Sequence, residues 1–175
     1  MKKIIYFLFV LAVVAAPQFT QAQDEKTPKR PENIDVSDFD TFKNSAFDIL
    51  DESAKLKTDA TKVDTDVKAY ASSLSNASLD KLKNDYAAIR GIAKSSKELT
   101  AKIGDLDTQG KSLLSSAKNV SPRTKSPAAT KNTNSSIKGL DASKKNLEVV
   151  GNLVTTNSKL LADELKKRGE TVEED

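Results

Sequence analysis

Between Ser37 and Leu74 the chain reads SDFDTFKNSAFDILDESAKLKTDATKVDTDVKAYASSL, with an apolar or small residue returning at steps of three and four. These positions are Phe39, Phe42, Ala46, Ile49, Ser53, Leu56, Ala60, Val63, Val67, Tyr70 and Leu74, and Ser53 is the one polar member. A repeat of about 3.5 residues is the a/d pattern of a coiled-coil seam. A stripe this narrow requires partner helices to cover it.

The rest of the chain supplies two partners. A second seam runs through Leu79, Leu82, Tyr86, Ile89, Ile92 or Ala93, Ser96, Leu99, Ile103, Leu106, Gly110, Leu113, Ala117 and Val120. Its phase slips between Ile89 and Ile92, a stammer that overwinds such a helix locally. Gly91, Gly104 and Gly110 soften it at about 1 kcal/mol each relative to alanine, and a kink is expected near Gly104. A third seam reads Ile137, Leu140, Lys144, Leu147, Gly151, Val154, Ser158, Leu161 and Leu165.

The punctuation between seams sets the boundaries. Ser37 reads as the N-cap of the first helix, with Asp38 and Asp40 at the positive end of its dipole. Ser78 reads as the cap of the second helix. Residues 121–134 carry Pro122, Pro127 and a Ser/Thr/Asn run, the composition of a mobile basic linker. Lys166, Lys167 and Arg168 followed by Gly169 form a helix stop. Helices are therefore expected over about 37–75, 78–120 and 135–168, with a flexible leader at 23–36 and a frayed acidic tail at 169–175. At about 1.5 Å per residue they measure roughly 57, 61 and 49 Å, close enough to lie side by side.

The expected fold is all-α, an elongated antiparallel three-helix bundle with coiled-coil-like packing. It gathers Phe39, Phe42 and Phe47 with Leu113, Leu114, Ile137 and Leu140 at one end. Tyr70, Leu74, Leu79, Leu82, Tyr86, Leu161 and Leu165 gather at the other. Ala60, Ser96, Gly151 and Ser158 fall in the middle.

Upstream, Met1-Lys2-Lys3 is a short positive region, Ile4 to Ala16 is apolar, and Thr20-Gln21-Ala22 offers small residues before a cleavage point. This is the pattern of a signal peptide over 1–22, cleaved after Ala22. The apolar run is shorter than the roughly 20 residues a membrane span needs. The implied location is periplasmic or secreted, in bacterial style. The whole sequence has 28 Lys and Arg against 25 Asp and Glu; without Lys2 and Lys3 the balance is 26 against 25, a net +1. That near-neutrality gives no reason to expect a nucleic-acid partner.

The side-chain inventory narrows the chemistry. The chain has no histidine and no cysteine, so Ser-His-Asp and Cys-His nucleophile schemes, disulfides and the usual zinc sites have no residues to use. Ser-x-x-Lys occurs at Ser115–Lys118 and Ser135–Lys138, a spacing frequent by chance in a chain rich in both residues. Asp105 to Gly110 resembles the front half of an EF-hand loop, but position twelve is Ser116, and Leu106 and Leu113 continue the helical stripe through it. Asn76, Asn119 and Asn134 open glycosylation sequons at expected helix ends or loops. Arg123, Lys125 and Lys131 make the linker basic without interleaved aromatics.

No catalytic, cofactor or metal residue is singled out, and no cofactor is expected. The expectation is a non-enzymatic exported helical-bundle protein with a structural or protein-interaction role, with unknown protein partners or a second copy of itself. The alternative is a periplasmic holdase-type chaperone or a lipid-associating helical protein. Its motive is the polar dilution of the seams at Ser53, Ser96, Lys144, Gly151 and Ser158.

Overall fold

The computed structural model describes residues 27–172. The expected signal segment, its cleavage point after Ala22 and the tail beyond Val172 lie outside the described residues. Within them the chain is all-helical, with three packed helices and no strand. Helix α1 spans Ser37–Tyr70, α2 Leu79–Ser116 and α3 Ser126–Lys167. A 3₁₀ run over Ala71–Asn76 joins α1 to α2, and short 3₁₀ turns at Ala117–Asn119 and Arg123–Lys125 lead into α3.

Helix α1 is capped from inside rather than by Ser37, which is already helical. Val36 is the N-cap, in extended conformation. The Asp40 carboxylate accepts the Ile34 N–H at 2.9 Å and the Val36 N–H at 3.2 Å, reaching back as a capping-box acid does. The helix ends at Tyr70, before the expected 75, because the backbone tightens and Ser73 leaves helical φ/ψ altogether. Ser78 caps α2 as expected, its Oγ accepting the Lys81 N–H.

Helix α2 runs unbroken through Gly91, Gly104 and Gly110, so the kink expected near Gly104 does not interrupt it. Burial of Leu99, Ile103 and Leu113 on both sides of Gly104 holds the backbone in helical geometry. Ile92 rather than Ala93 takes the buried place at the phase slip.

The expected linker at 121–134 is largely helix: α3 begins at Ser126, nine residues before Ser135. Pro127 sits in the first turn, where its missing N–H is lost anyway and its fixed φ suits the helix. Thr130 and Thr133 donate their hydroxyls to carbonyls four residues back, so these polar side chains ride inside a helix without an unmet bond.

The phase of α3 also differs from the expected seam. Leu140, Leu147, Val154 and Leu161 face inward as expected, Val154 only partly buried. The alternate column is Ala129, Ser136, Ser143, Val150, Asn157 and Glu164, one residue away from Lys144, Gly151 and Ser158. Lys144 is exposed and Gly151 and Ser158 only half-buried. Together with Thr133 the two columns keep steps of three and four from Ala129 to Glu164. The true column is polar, which hides it from a count of apolar residues.

Three clusters form the core. The first joins Phe39, Phe42, Ala46 and Ile49 of α1 to Leu99, Ile103 and Leu113 of α2 and to Ala129, Leu140 and Leu147 of α3. The middle cluster is Ala60, Ile89, Ile92 and Val150. The third is Val67, Leu82, Leu161 and Leu165, with Tyr70, Leu74, Leu79 and Tyr86 packed on it. The start of α1 thus meets the end of α2 and the start of α3, so α2 runs opposite to the other two.

The α1–α3 pairing is fixed by two polar bonds. Asn146 donates to Ser53 Oγ at 3.2 Å and Asn157 to the Asp64 carboxylate at 3.1 Å. Both span 93 residues, the constant offset of parallel helices in one register. At the end of α3, Gly169 adopts φ +81°, its N–H reaching the Lys166 carbonyl while the Glu170 N–H reaches that of Leu165. That is a Schellman stop with glycine at the left-handed position.

Candidate functional site

The expected flexible leader is ordered from residue 27 and folds as a strap across the start of α1 and α3. Ile34 and Val36 pack against the first core cluster. Arg30 bonds Asp48 at 2.7 Å and Asp51 at 3.0 Å, and its guanidinium lies 5.8 Å from the Phe47 ring centroid. The bond to Asp48 holds the Arg30 proton more firmly than usual, with burial opposing it. Two prolines and mixed charge suggested a loose segment; two apolar side chains and one arginine fasten it.

Three donors on the bundle face three acceptors on this strap. Lys43 Nζ donates to Asn33 Oδ1. The Asn132 amide donates to the Glu32 carbonyl at 2.8 Å, and Lys125 Nζ to the Asp35 carbonyl at 3.3 Å. Lys43 is only 2% exposed, yet among the described residues no carboxylate pairs with it, only a neutral amide. An ammonium taken from water without a counterion costs several kcal/mol. A hydrogen bond to a charged group returns about 1.5–3 kcal/mol. The strap therefore covers a cation that it only partly compensates.

The opposite end is closed by Arg168. Its guanidinium donates to the Leu74 carbonyl, to the Ala77 carbonyl at 2.7 Å, and through Nε to Glu164 at 3.0 Å. It satisfies the open Ala77 carbonyl where the 3₁₀ run turns into α2 and adds a second donor to that of Leu74. The expected acidic tail is tied down as far as it is described: Glu170 pairs with Lys83 at 2.9 Å and Val172 packs on the third cluster. Beside it, the Tyr70 hydroxyl donates to Asp85 at 2.6 Å, and Lys81 bonds the same carboxylate. Burial first, and then the Asp85 bond, push the Tyr70 hydroxyl far above the usual tyrosine range.

Two surface grooves follow the seams between helices. One, of about 430 Å³, opens between α1 and α2 over Leu56, Ile92 and Leu99, rimmed by Glu52, Lys55, Asp59, Glu98 and Lys102. A second, of about 390 Å³, lies between α2 and α3, where Lys144 bridges Asp107 at 2.6 Å and Asp141 at 3.3 Å. The Asp107 bond raises the Lys144 ammonium above its ordinary value, burial opposing it. Both grooves are open furrows with opposite charges on their rims.

The remaining sequence candidates sit in plain helical settings. Asp105 to Gly110 is a continuous part of α2 rather than a loop, with Asp107 paired to Lys144 and Gly110 buried. Among the described residues no group of acidic side chains is placed to hold a metal ion. Ser115 donates to the Lys111 carbonyl, while Lys118 lies beyond the end of α2. Asn76 and Asn119 are exposed at helix junctions, but Asn134 is inside α3. Of the three basic linker residues, Lys125 is committed to the strap and Arg123 and Lys131 face solvent. Among the described residues no helix is long and apolar enough to cross a membrane.

No protein family, curated protein or solved structure matches the chain.

Sequence reasoning missed the donor set Lys43, Lys125 and Asn132. The available signal was Lys43 itself, a lysine next to Phe42 on the inward side of a stripe that widens to include Phe47 and Leu50.

Proposed function

We propose that the chain is an exported, non-enzymatic protein that works by binding other protein through its helix surfaces. Its elongated bundle has coiled-coil-like packing and is released after Ala22 by removal of a signal peptide. The observation that carries this reading is the strap end, where bundle donors hold a short non-helical segment by two of its carbonyls and one side chain. That is the arrangement by which a protein surface recognises a peptide. Open grooves with charged rims, rather than a closed apolar cavity with converging polar groups, fit contact with macromolecules better than enclosure of a small substrate.

Fractionation of the native host with mapping of the N-terminus tests export. A chain beginning at Gln23 outside the cytoplasm is expected; a cytosolic chain retaining Met1 would overturn it. Cross-linking in the same cells tests the binding role.

One observation favours a second reading, that of a holdase or lipid-associating protein. The α1–α2 seam is the thinnest of the three, so these helices could part to offer Leu56, Ile92 and Leu99. Helicity that stays unchanged on adding anionic vesicles or an unfolded client would remove it.

A further inference from the structure

We infer that the outer face of α2, with the groove beside it, binds a second copy of this chain around a two-fold axis that runs along α2 past Gly91. This rests on the protein-binding role proposed above and names the partner.

Two furrows of unlike charge flank the same stretch of α2. On the α1 side lies the groove over Leu56, Ile92 and Leu99, with the acids Glu52, Asp59 and Glu98 and the bases Lys55 and Lys102. On the other side lies a shallow concavity of about 660 Å³, lined by Arg90, Lys94 and Lys97 beside Tyr86 and Thr171, with no carboxylate in its lining among the described residues. The groove sums to −1 (three acids against two bases) and the concavity to +3. Gly91 lines both, so it marks the crest between them. It is exposed, and a Cβ built on it would meet nothing within 4 Å.

The charges near this crest lack partners. Asp59 is half-buried, and among the described residues no cation pairs with it. Glu98, Lys94 and Lys97 are exposed and likewise without an ion pair among the described residues. A partly buried carboxylate has lost some of its water and gains from a cation brought to it. The heights also match. Ala60, next to Asp59, shares the middle cluster with Ile89 and Ile92, which sets Asp59 within about one helical turn of Lys94.

Symmetry then selects one arrangement. A two-fold axis parallel to α2 keeps heights and exchanges left for right. Each copy's basic concavity then faces the other's acidic groove, and Lys94 meets the partner's Asp59 twice. An axis across α2 would set base against base and acid against acid, which repulsion disfavours. The contact is isologous, so it closes at two copies.

The test uses the full mature chain. Sedimentation equilibrium should show a monomer–dimer equilibrium that weakens as salt rises. Asp59→Lys and Lys94→Glu should each weaken self-association about tenfold. An equimolar mixture of the two should recover it to within about threefold, because both contacts of the mixed pair are again of opposite sign. Circular dichroism checks that each variant folds. The chain has no cysteine, so Gly91→Cys places a single thiol beside the axis, within reach of its symmetry mate. Mild oxidation should link it into a disulfide dimer, while Thr155→Cys, exposed on α3, should stay largely monomeric. A chain monomeric at every concentration, a mixture no tighter than its components, or equal cross-linking at the two cysteines would each overturn the inference. A monomeric chain that still cross-links to a different protein in its host would overturn it and leave the proposed role standing.

Discussion

The Phe42 ring lies so close over Gly110 that a methyl group built on the glycine would stand 2.7 Å from the ring's Cζ, with Ile137 at 3.3 Å behind it. The glycine that seemed to weaken α2 is therefore where α1, α2 and α3 come closest around an aromatic side chain. Phe42 is fully buried and has nowhere to retreat. Gly110→Ala should destabilise by about 1–3 kcal/mol through overpacking, despite a helix-propensity gain of about 1 kcal/mol. Gly91 and Gly104, which have nothing within 4 Å of an added Cβ, should show only the gain. Urea midpoints moving in opposite directions for Gly110→Ala and Gly91→Ala are the expected outcome.

The phase of α3 can be tested by two adjacent substitutions. Ser143 is fully buried and donates to the Gly139 carbonyl; Lys144 is exposed and bridges two aspartates. Ser143→Leu should cost about 1–3 kcal/mol by overpacking a filled seam. Lys144→Leu should change stability by less than about 1 kcal/mol, the usual worth of an exposed ion pair. The opposite order would restore the seam through Lys144, Gly151 and Ser158.

That pair also shows what the sequence discloses and what it hides. The stripes of α1 and α2 follow their apolar residues, and the two end clusters assemble the residues their spacing predicts, except that Phe47 and Leu114 stand outside the first. Half of the α3 stripe is invisible to hydropathy because Ser136, Ser143 and Asn157 satisfy their own polar groups on carbonyls four residues back. Once self-satisfied they can be buried, and small side chains let the helices approach. The strap escaped notice for a related reason: its fastening depends on partners such as Asn132, Lys125 and Asp48, 15 or more residues away in sequence, which no local pattern marks.

Arg168 should be worth far more than a charge at a helix end. Arg168→Ala leaves the Ala77 carbonyl without its donor and takes a charged partner from the Leu74 carbonyl and Glu164, and should cost about 1.5–3 kcal/mol. Arg168→Lys should recover little, since an ammonium cannot reproduce the fork that spans two carbonyls. Hydrogen exchange should report the loss first in residues 71–78.

Asp64 gives the bundle a defined acid sensitivity. Burial pushes its carboxyl up, but the bonds from Lys68 at 2.7 Å and from Asn157 more than offset this, leaving it below its ordinary 3.8. A depressed carboxyl contributes stability that is present above 3.8 and lost as pH falls through the lower folded value. Asp64→Asn should therefore destabilise at pH 7 and lose less than the wild type between about pH 4 and pH 2. Urea midpoints at both pH values measure it; parallel losses in the two proteins would contradict the assignment.

The proposed role meets its most direct test in the native host. The untagged chain is cross-linked in living cells, and the adducts are identified by mass spectrometry. The expected result is a processed chain beginning at Gln23, joined through lysines of its helix surfaces to a discrete exported protein. A chain recovered only without adducts, in the cytosol and with Met1 intact, would contradict it.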